Sequence, residues 1–278
     1  MIKKEYLICL LIFIIACNSN KKQAVTYLKE AQKLCERGEY TSAKNHLDSI
    51  KILFPKEFDI QKQGLQLRRQ VEIKEQERNL NFCDSALTVR LAQAETMKSQ
   101  FLFEKDTAYD VLGKYIDKSQ RLETKLQTSY IRTAVNELGE ILFSSVYYGS
   151  RPIHHSGLKV SKSNGEYAET EIIPYDGGMN YSFVNDGMTT EVVTYVQGKD
   201  NGTLQFIYNN KESALKAEYL GKEKYTFTIS AADKSVLVKT FDFAIILSDI
   251  AKMKKEKEKS SQRLKYLESK LTGEPASK

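Results

Sequence analysis

Ile73, Leu80, Leu87, Ala94 and Phe101 stand seven residues apart in a stretch, Glu57 to Phe103, that holds no proline and one glycine, Gly64. Cys83, Leu91 and Met97 supplement the same stripe. Seven residues are close to two helical turns, so these side chains share one seam, and a seam this long needs a second helix to cover it. Residues 57–127 therefore read as a long, coiled-coil-like helical stalk. Lys74–Asn79 is wholly polar and belongs in water. After an interruption at 104–107, the spacing of Ala108, Leu112, Tyr115, Leu122 and Leu126 continues the helix, with Gly113 its weak point.

A partner for that seam lies at the other end of the chain. Ser230-Ala231-Ala232-Asp233 has the form of a capping box, and Ile246, Ile250, Met253, Leu264, Leu267 and Leu271 follow at helical spacing. A strand at Val236–Phe243, where β-branched and aromatic residues cluster, is the alternative; the helix is preferred. Residues 231–278 are expected to fold back on the stalk so that each seam covers the other. Self-association through the same seams is the competing arrangement.

Between the two helical segments the period changes from seven to two. Residues 128–149 alternate apolar and polar on either side of Asn136-Glu137-Leu138-Gly139, which is the pattern of a β-hairpin with a short glycine-bearing loop. Further strands are expected at Leu158–Ser161, Glu166–Ile173, Asn180–Val184, Glu191–Val196, Thr203–Tyr208, Ala214–Tyr219 and Lys224–Ile229. Turns at Asn164-Gly165, Asp176-Gly177-Gly178, Asn185-Asp186-Gly187 and Asn201-Gly202 separate them. About nine strands with short turns make residues 128–230 an antiparallel β-sandwich or small barrel. The fold class expected is α+β: an N-terminal helical hairpin, long helices, the β domain, and a long C-terminal helix.

The hairpin is residues 17–56. Gln23–Arg37 carries Ala24, Tyr27, Leu28, Ala31 and Leu34 on one face, Gly38-Glu39 breaks it, and Tyr40–Leu53 follows with Ala43, Leu47 and Ile50 before Pro55. Tyr27, Ala31, Gly38, Tyr40, Ala43 and Pro55 resemble one tetratricopeptide hairpin, in which small residues let two helices cross closely. Ile50 departs from the alanine of that family, and no second copy follows, so no peptide groove is implied.

Ahead of it, Lys3 and Lys4 precede Tyr6–Ala16, eleven residues without a charge. Such a helix spans about 16 Å of a hydrocarbon core of about 30 Å, too short to cross and suited to a secretory signal, residues 1–16. Ile14-Ile15-Ala16-Cys17 closely resembles the lipobox of bacterial lipoproteins. That resemblance implies cleavage after Ala16 and acylation of Cys17, and two or three acyl chains at about 0.8 kcal/mol per methylene hold a protein at a bilayer almost permanently. The chain as a whole resembles envelope lipoproteins of the Bacteroidota, and Asn18–Lys22 lacks the acidic cluster of their surface-exported members. The resemblance thus implies the outer membrane facing the periplasm, with surface exposure left open. Cys9 leaves with the signal, so Cys35 and Cys83 are the thiols that remain, and both are expected to be buried and free.

Removing 16 of 278 residues leaves 262, and losing Lys3, Lys4 and Glu5 takes the formal charge from +6 to +5. That excess is far from the concentrated basic face of a nucleic-acid binder, and no nucleic-acid partner is expected. Ala251–Lys265 holds seven basic and two acidic residues, the composition of a solvated helix. Motifs for a serine hydrolase elbow, a zinc protease, a phosphate loop or a dithiol centre are missing, so no cofactor, metal or catalytic residue is assigned. His46 reads as a partly exposed helix residue. The one constellation with possible chemistry is "YYGSRPIHHSG": Tyr147, Tyr148, Arg151, His154 and His155 are the candidate ligand-binding residues. Adjacent residues of an extended chain point to opposite sides, so the two imidazoles converge poorly on one ion, and no acid or cysteine lies within five positions. Tyrosines crowd the β region and offer an aromatic surface. The expectation is a non-enzymatic scaffold or binding protein, anchored to the bilayer through Cys17, that meets a protein or a surface polymer. A glycan- or small-ligand-binding β domain, with its site near His154 and His155, is the alternative.

Overall fold

The computed structural model describes residues 4–108, 111–120 and 127–272, with side chains from residue 20 to residue 271. Contacts divide the chain into two units, Met1–Ala86 with Lys254–Lys278, and Leu87–Met253. Helices α3 (Phe58–Lys98) and α5 (Ala231–Thr272) contribute to both.

In the first unit, Gly38 takes φ +76° and turns α1 (Lys4–Glu36) into α2 (Tyr40–Leu53). Ala24, Ala31 and Ala43 are fully buried where the two helices meet. Leu34, Cys35, Leu47, Ile50 and Phe54 complete that core with Ile60 and Val71 of α3. Gly64 of α3 sits against Ile50 and Leu47, within ordinary van der Waals reach of both. Lys44 pairs with Glu75 at 2.8 Å, and Arg78 donates to the Gly38 carbonyl while lying 4.5 Å over the Tyr40 ring. Arg263 and Lys257 of α5 pair with Glu72 and Asp84 of α3, so the two helices run antiparallel here. Cys35 and Cys83 are buried free thiols, as expected.

In the second unit, Leu87 and Ala94 of α3 and Phe101 pack on Phe243, Ala244, Leu247 and Ile250 of α5. Arg90 meets Asp249 at 2.8 Å. The part of the heptad seam from Leu87 to Phe101 is therefore covered by the C-terminal helix, whereas Leu91, expected on the seam, is exposed. Ser230 caps the helix as expected, with Asp233 N–H donating to Ser230 Oγ at 3.0 Å, while the Asp233 carboxylate accepts from the Ser230 hydroxyl at 2.7 Å. Residues 236–243, the alternative strand, are helical.

Among the described residues, ten antiparallel strands form two sheets that face each other. The six-stranded sheet has the order β1 (Phe101–Glu104), β2 (Lys114–Asp117), β3 (Tyr130–Asn136), β4 (Ile141–Gly149), β8 (Met188–Tyr195) and β7 (Asn180–Asn185). The four-stranded sheet has the order β10 (Tyr225–Thr228), β9 (Leu215–Leu220), β5 (Gly157–Lys162) and β6 (Tyr167–Glu169). Ile131, Phe143, Val193 and Tyr195 of the first meet Leu158, Val160, Leu215 and Tyr219 of the second. This is the sandwich that the alternation predicts. Gly139, at φ +81°, closes the β3–β4 hairpin, and a Cβ there would stand 2.4 Å from the Ala244 carbonyl oxygen.

Three expectations are corrected. The stalk does not run to residue 127: α3 ends at Lys98, and Phe101–Glu104 pairs with Lys114–Asp117 as two strands added to the sheet. Aromatic cross-strand packing prevails over helical spacing there, since Phe103 and Tyr115 stack at 4.9 Å and Phe103 lies directly over Gly113. Leu122 and Leu126 lie outside the described residues. Beyond the part of β3 that pairs with β2, the Gln120 side chain stands in for a strand, accepting from Thr133 N–H and donating to the Ile131 carbonyl, each at 3.0 Å. Second, Thr203–Asn209 is the helix α4, not a strand, because Leu204 and Ile207 reach the core at a spacing of three. Third, the strand expected at 166–173 shrinks to Tyr167–Glu169.

Among the described residues, no helix is long and apolar enough to cross a membrane.

Candidate functional site

The segment Arg151–Ser156 joins β4 of one sheet to β5 of the other, and its conformation is set by an acid far away in sequence. Glu191 lies on β8 in phase with Val193 and Tyr195, on the face that looks into the sandwich. Its Oε1 accepts from the backbone N–H groups of Ile153 at 2.7 Å and His154 at 2.8 Å. Its Oε2 accepts from His155 N–H and His155 Nδ1, both at 2.8 Å. Three successive amides converging on one anion form a nest, and His154 takes φ +52° to make it. On the far side Gly221 presses so close that a Cβ would lie 2.4 Å from the Ile153 carbonyl oxygen.

From His155 the hydrogen bonds continue inward. A carboxylate only accepts, so Nδ1 carries a proton, and Nε2 meets Ser145 Oγ at 3.0 Å. Ser145 Oγ also meets the Tyr195 hydroxyl at 2.9 Å. The imidazole stacks on the Tyr219 ring at 4.9 Å. Burial pushes the Glu191 carboxyl up, but the bonds from the His155 ring and from the His155 and His154 amides outweigh it and hold the group below its ordinary value. Burial raises the Tyr195 and Tyr219 hydroxyls, which stay protonated.

Ser145, His155 and Glu191 thus stand in the order of a hydrolytic relay: hydroxyl, imidazole, carboxylate. Their surroundings differ from those of a working nucleophile. Ser145 is fully buried between strands, and its oxygen is engaged from both sides. Both Glu191 oxygens hold two donors each. As it stands, the network can fix the loop against the six-stranded sheet, and it presents no free nucleophile.

Above it opens a cleft of about 340 Å³, lined by His154, Ser156, Tyr175, Asn180 and Ser182, with His155 and Glu191 beneath. Asn180 is itself tied down, donating to the carbonyls of Ile173 at 2.7 Å and His155 at 3.2 Å. His154 and Tyr175 are exposed at its rim.

The five residues singled out in the sequence are not brought together. His154 and His155 meet at this cleft but turn opposite ways, one to solvent and one to the core. Tyr147 is in the core between the sheets, its hydroxyl donating to the Arg151 carbonyl at 2.9 Å. Tyr148 points from the other face of β4 toward a separate hollow, shared with Tyr181 and Phe183. The Arg151 side chain is exposed and does not line the cleft. The acid that no neighbouring position supplied comes from Glu191, 36 residues beyond His155. A signal for it did exist, a charged residue at a core-facing position of an alternating strand. The Asp176 turn behaves as a turn, its carboxylate accepting from the Gly178 and Asn180 amides. His46 is half-buried against Tyr27 at 5.7 Å. Among the described residues, no three or more His, Cys, Asp or Glu side chains are placed to hold a metal ion.

The fold and the site define a class, an α+β chain with a β-sandwich in which a buried Glu-His-Ser network ties the loop between the sheets to the six-stranded one. No family model, curated protein or solved structure matches this chain.

Proposed function

We propose that this chain is a lipoprotein of the bacterial cell envelope, held by acylated Cys17 at the outer membrane facing the periplasm, and that it acts as a non-enzymatic binding protein. The signal-like run and Ile14-Ile15-Ala16-Cys17 support the anchor. One observation carries the binding role: a rigid, internally satisfied floor lies under a cleft whose rim offers an imidazole, a tyrosine ring and two serine hydroxyls. Such a rim suits a small polar ligand such as a sugar unit, with the Tyr175 ring as a stacking surface.

The enzymatic alternative takes the same residues as a hydrolytic relay, and an activated ester separates the two. With p-nitrophenyl acetate, the binding reading predicts no release that depends on Ser145. Hydrolysis abolished by Ser145→Ala overturns it. For the anchor, Cys17→Ser is expected to move the protein from the membrane fraction to the soluble or unprocessed pool; retention as a processed membrane protein contradicts it.

A further inference from the structure

The first unit carries an apolar patch that its own core does not use. Ile52 and Phe58 are each 75% exposed, Leu53 is 54% and Leu65 is 53%. Phe58 and Leu65 flank a groove of about 400 Å³ between α2 and α3, floored by Leu47 and Ile50. Lys51 and Lys62 stand at its mouth, and neither has an ion-pair partner among the described residues. Lys56 is exposed on the same corner, and Lys21 and Lys22 are exposed on α1. Three carboxylates share this corner. Asp48 is paired with Arg68, while Glu57 and Asp59 sit at the start of α3, where they favour the helix dipole.

The position of this corner matters. The Phe54 ring packs on Tyr27 at 5.7 Å, so the end of α2 lies level with the tyrosine. Cys17 precedes Tyr27 by ten residues of α1, about 15 Å at 1.5 Å per residue. Helix α2 runs back along α1, so its C-terminal end, with Leu53 and Phe54, is the end nearer the anchor. Amphipathic surfaces enter a bilayer by about 5–10 Å. For the corner to reach that depth the hairpin must tilt toward the bilayer.

We infer that the α2–α3 corner is a docking surface for an anionic lipid bilayer: Ile52, Leu53 and Phe58 enter the headgroup region, and the surrounding lysines meet lipid phosphates. This rests on the anchor at Cys17 and adds to it. Acyl chains alone tether the protein, whereas the corner fixes how the first unit lies on the membrane. Charge complementarity favours lipid over a protein partner, since Lys51, Lys56 and Lys62 flank the projecting apolar edge and Lys21 and Lys22 lie on the helix that leads to the anchor.

The test uses the full lipidated protein in vesicles of phosphatidylethanolamine and phosphatidylglycerol. One nitroxide is attached at Phe58→Cys and, separately, one at Phe82→Cys, an exposed control in the same unit; the native thiols are buried. The label at 58 is expected to be relaxed by oxygen and shielded from an aqueous nickel chelate, and the label at 82 to show the reverse. Replacing Lys51, Lys56 and Lys62 with glutamine should lower the docked-to-free ratio roughly 100-fold at low salt. If the protein stays with the vesicles while position 58 is as open to water as position 82, the docking surface is wrong and the anchor stands. If the protein does not partition into vesicles at all, both fall. Shielding of position 58 in intact cells but not in vesicles would mean that a protein covers the corner, and this too overturns the inference.

Discussion

Glu191 accepts four hydrogen bonds in a site that is 3% exposed, and removing its charge leaves three amides and an imidazole without their acceptor. Glu191→Gln keeps the shape but turns an amide toward donors, so a loss of about 2–4 kcal/mol is expected in urea unfolding of the second unit. The pH dependence follows from the direction of its shift. The folded carboxyl lies below the unfolded value of about 4.3, so its contribution is complete above that pH and fades as pH falls through the folded value. Asp117, held down by Lys239 and Ser119 against the opposing effect of burial, behaves the same way. Wild-type stability should therefore drop steeply with acid below about pH 4, and Glu191→Gln should flatten that slope; an identical slope in both contradicts the assignment. Gly139→Ala is expected to disrupt the hairpin, because the added Cβ meets the α5 backbone at a positive φ.

At the level of elements, what was legible depended on how often a pattern repeats. The stripe Ile73-Leu80-Leu87-Ala94 is read four times before α3 ends, and the sandwich strands are punctuated by Asn-Gly and Asp-Gly turns. Phe101–Asp117 offered only two four-residue strands, too short to separate a period of two from one of 3.6, and their pairing is decided by contact with β3. Seven-residue α4 fails for the same reason. The candidate site was half legible. The His154-His155 pair marked the loop, while Ser145 and Glu191 reach it from strands whose pairing no local window reveals. A seam covered by α5 makes its own prediction. Leu87→Ala should cost about 2–4 kcal/mol, while Val89→Ala on the exposed side should stay within about 0.5 kcal/mol, both read from urea midpoints. Equal effects at the two positions would mean that the seam is not a core.

On the scale of the whole molecule, the proposal assigns location to a covalent lipid and recognition to the β unit. Neither role requires turnover, and the buried Ser145-His155-Glu191 chain is explained as the staple that holds the inter-sheet loop and the cleft floor against the six-stranded sheet. The most direct measurement is mass spectrometry of the N-terminal peptide of the protein purified from membranes. The account predicts a peptide that begins at Cys17 and carries the mass of a diacylglyceryl group, with or without a third acyl chain. An intact Ala16–Cys17 bond, or a Cys17 without lipid, contradicts it.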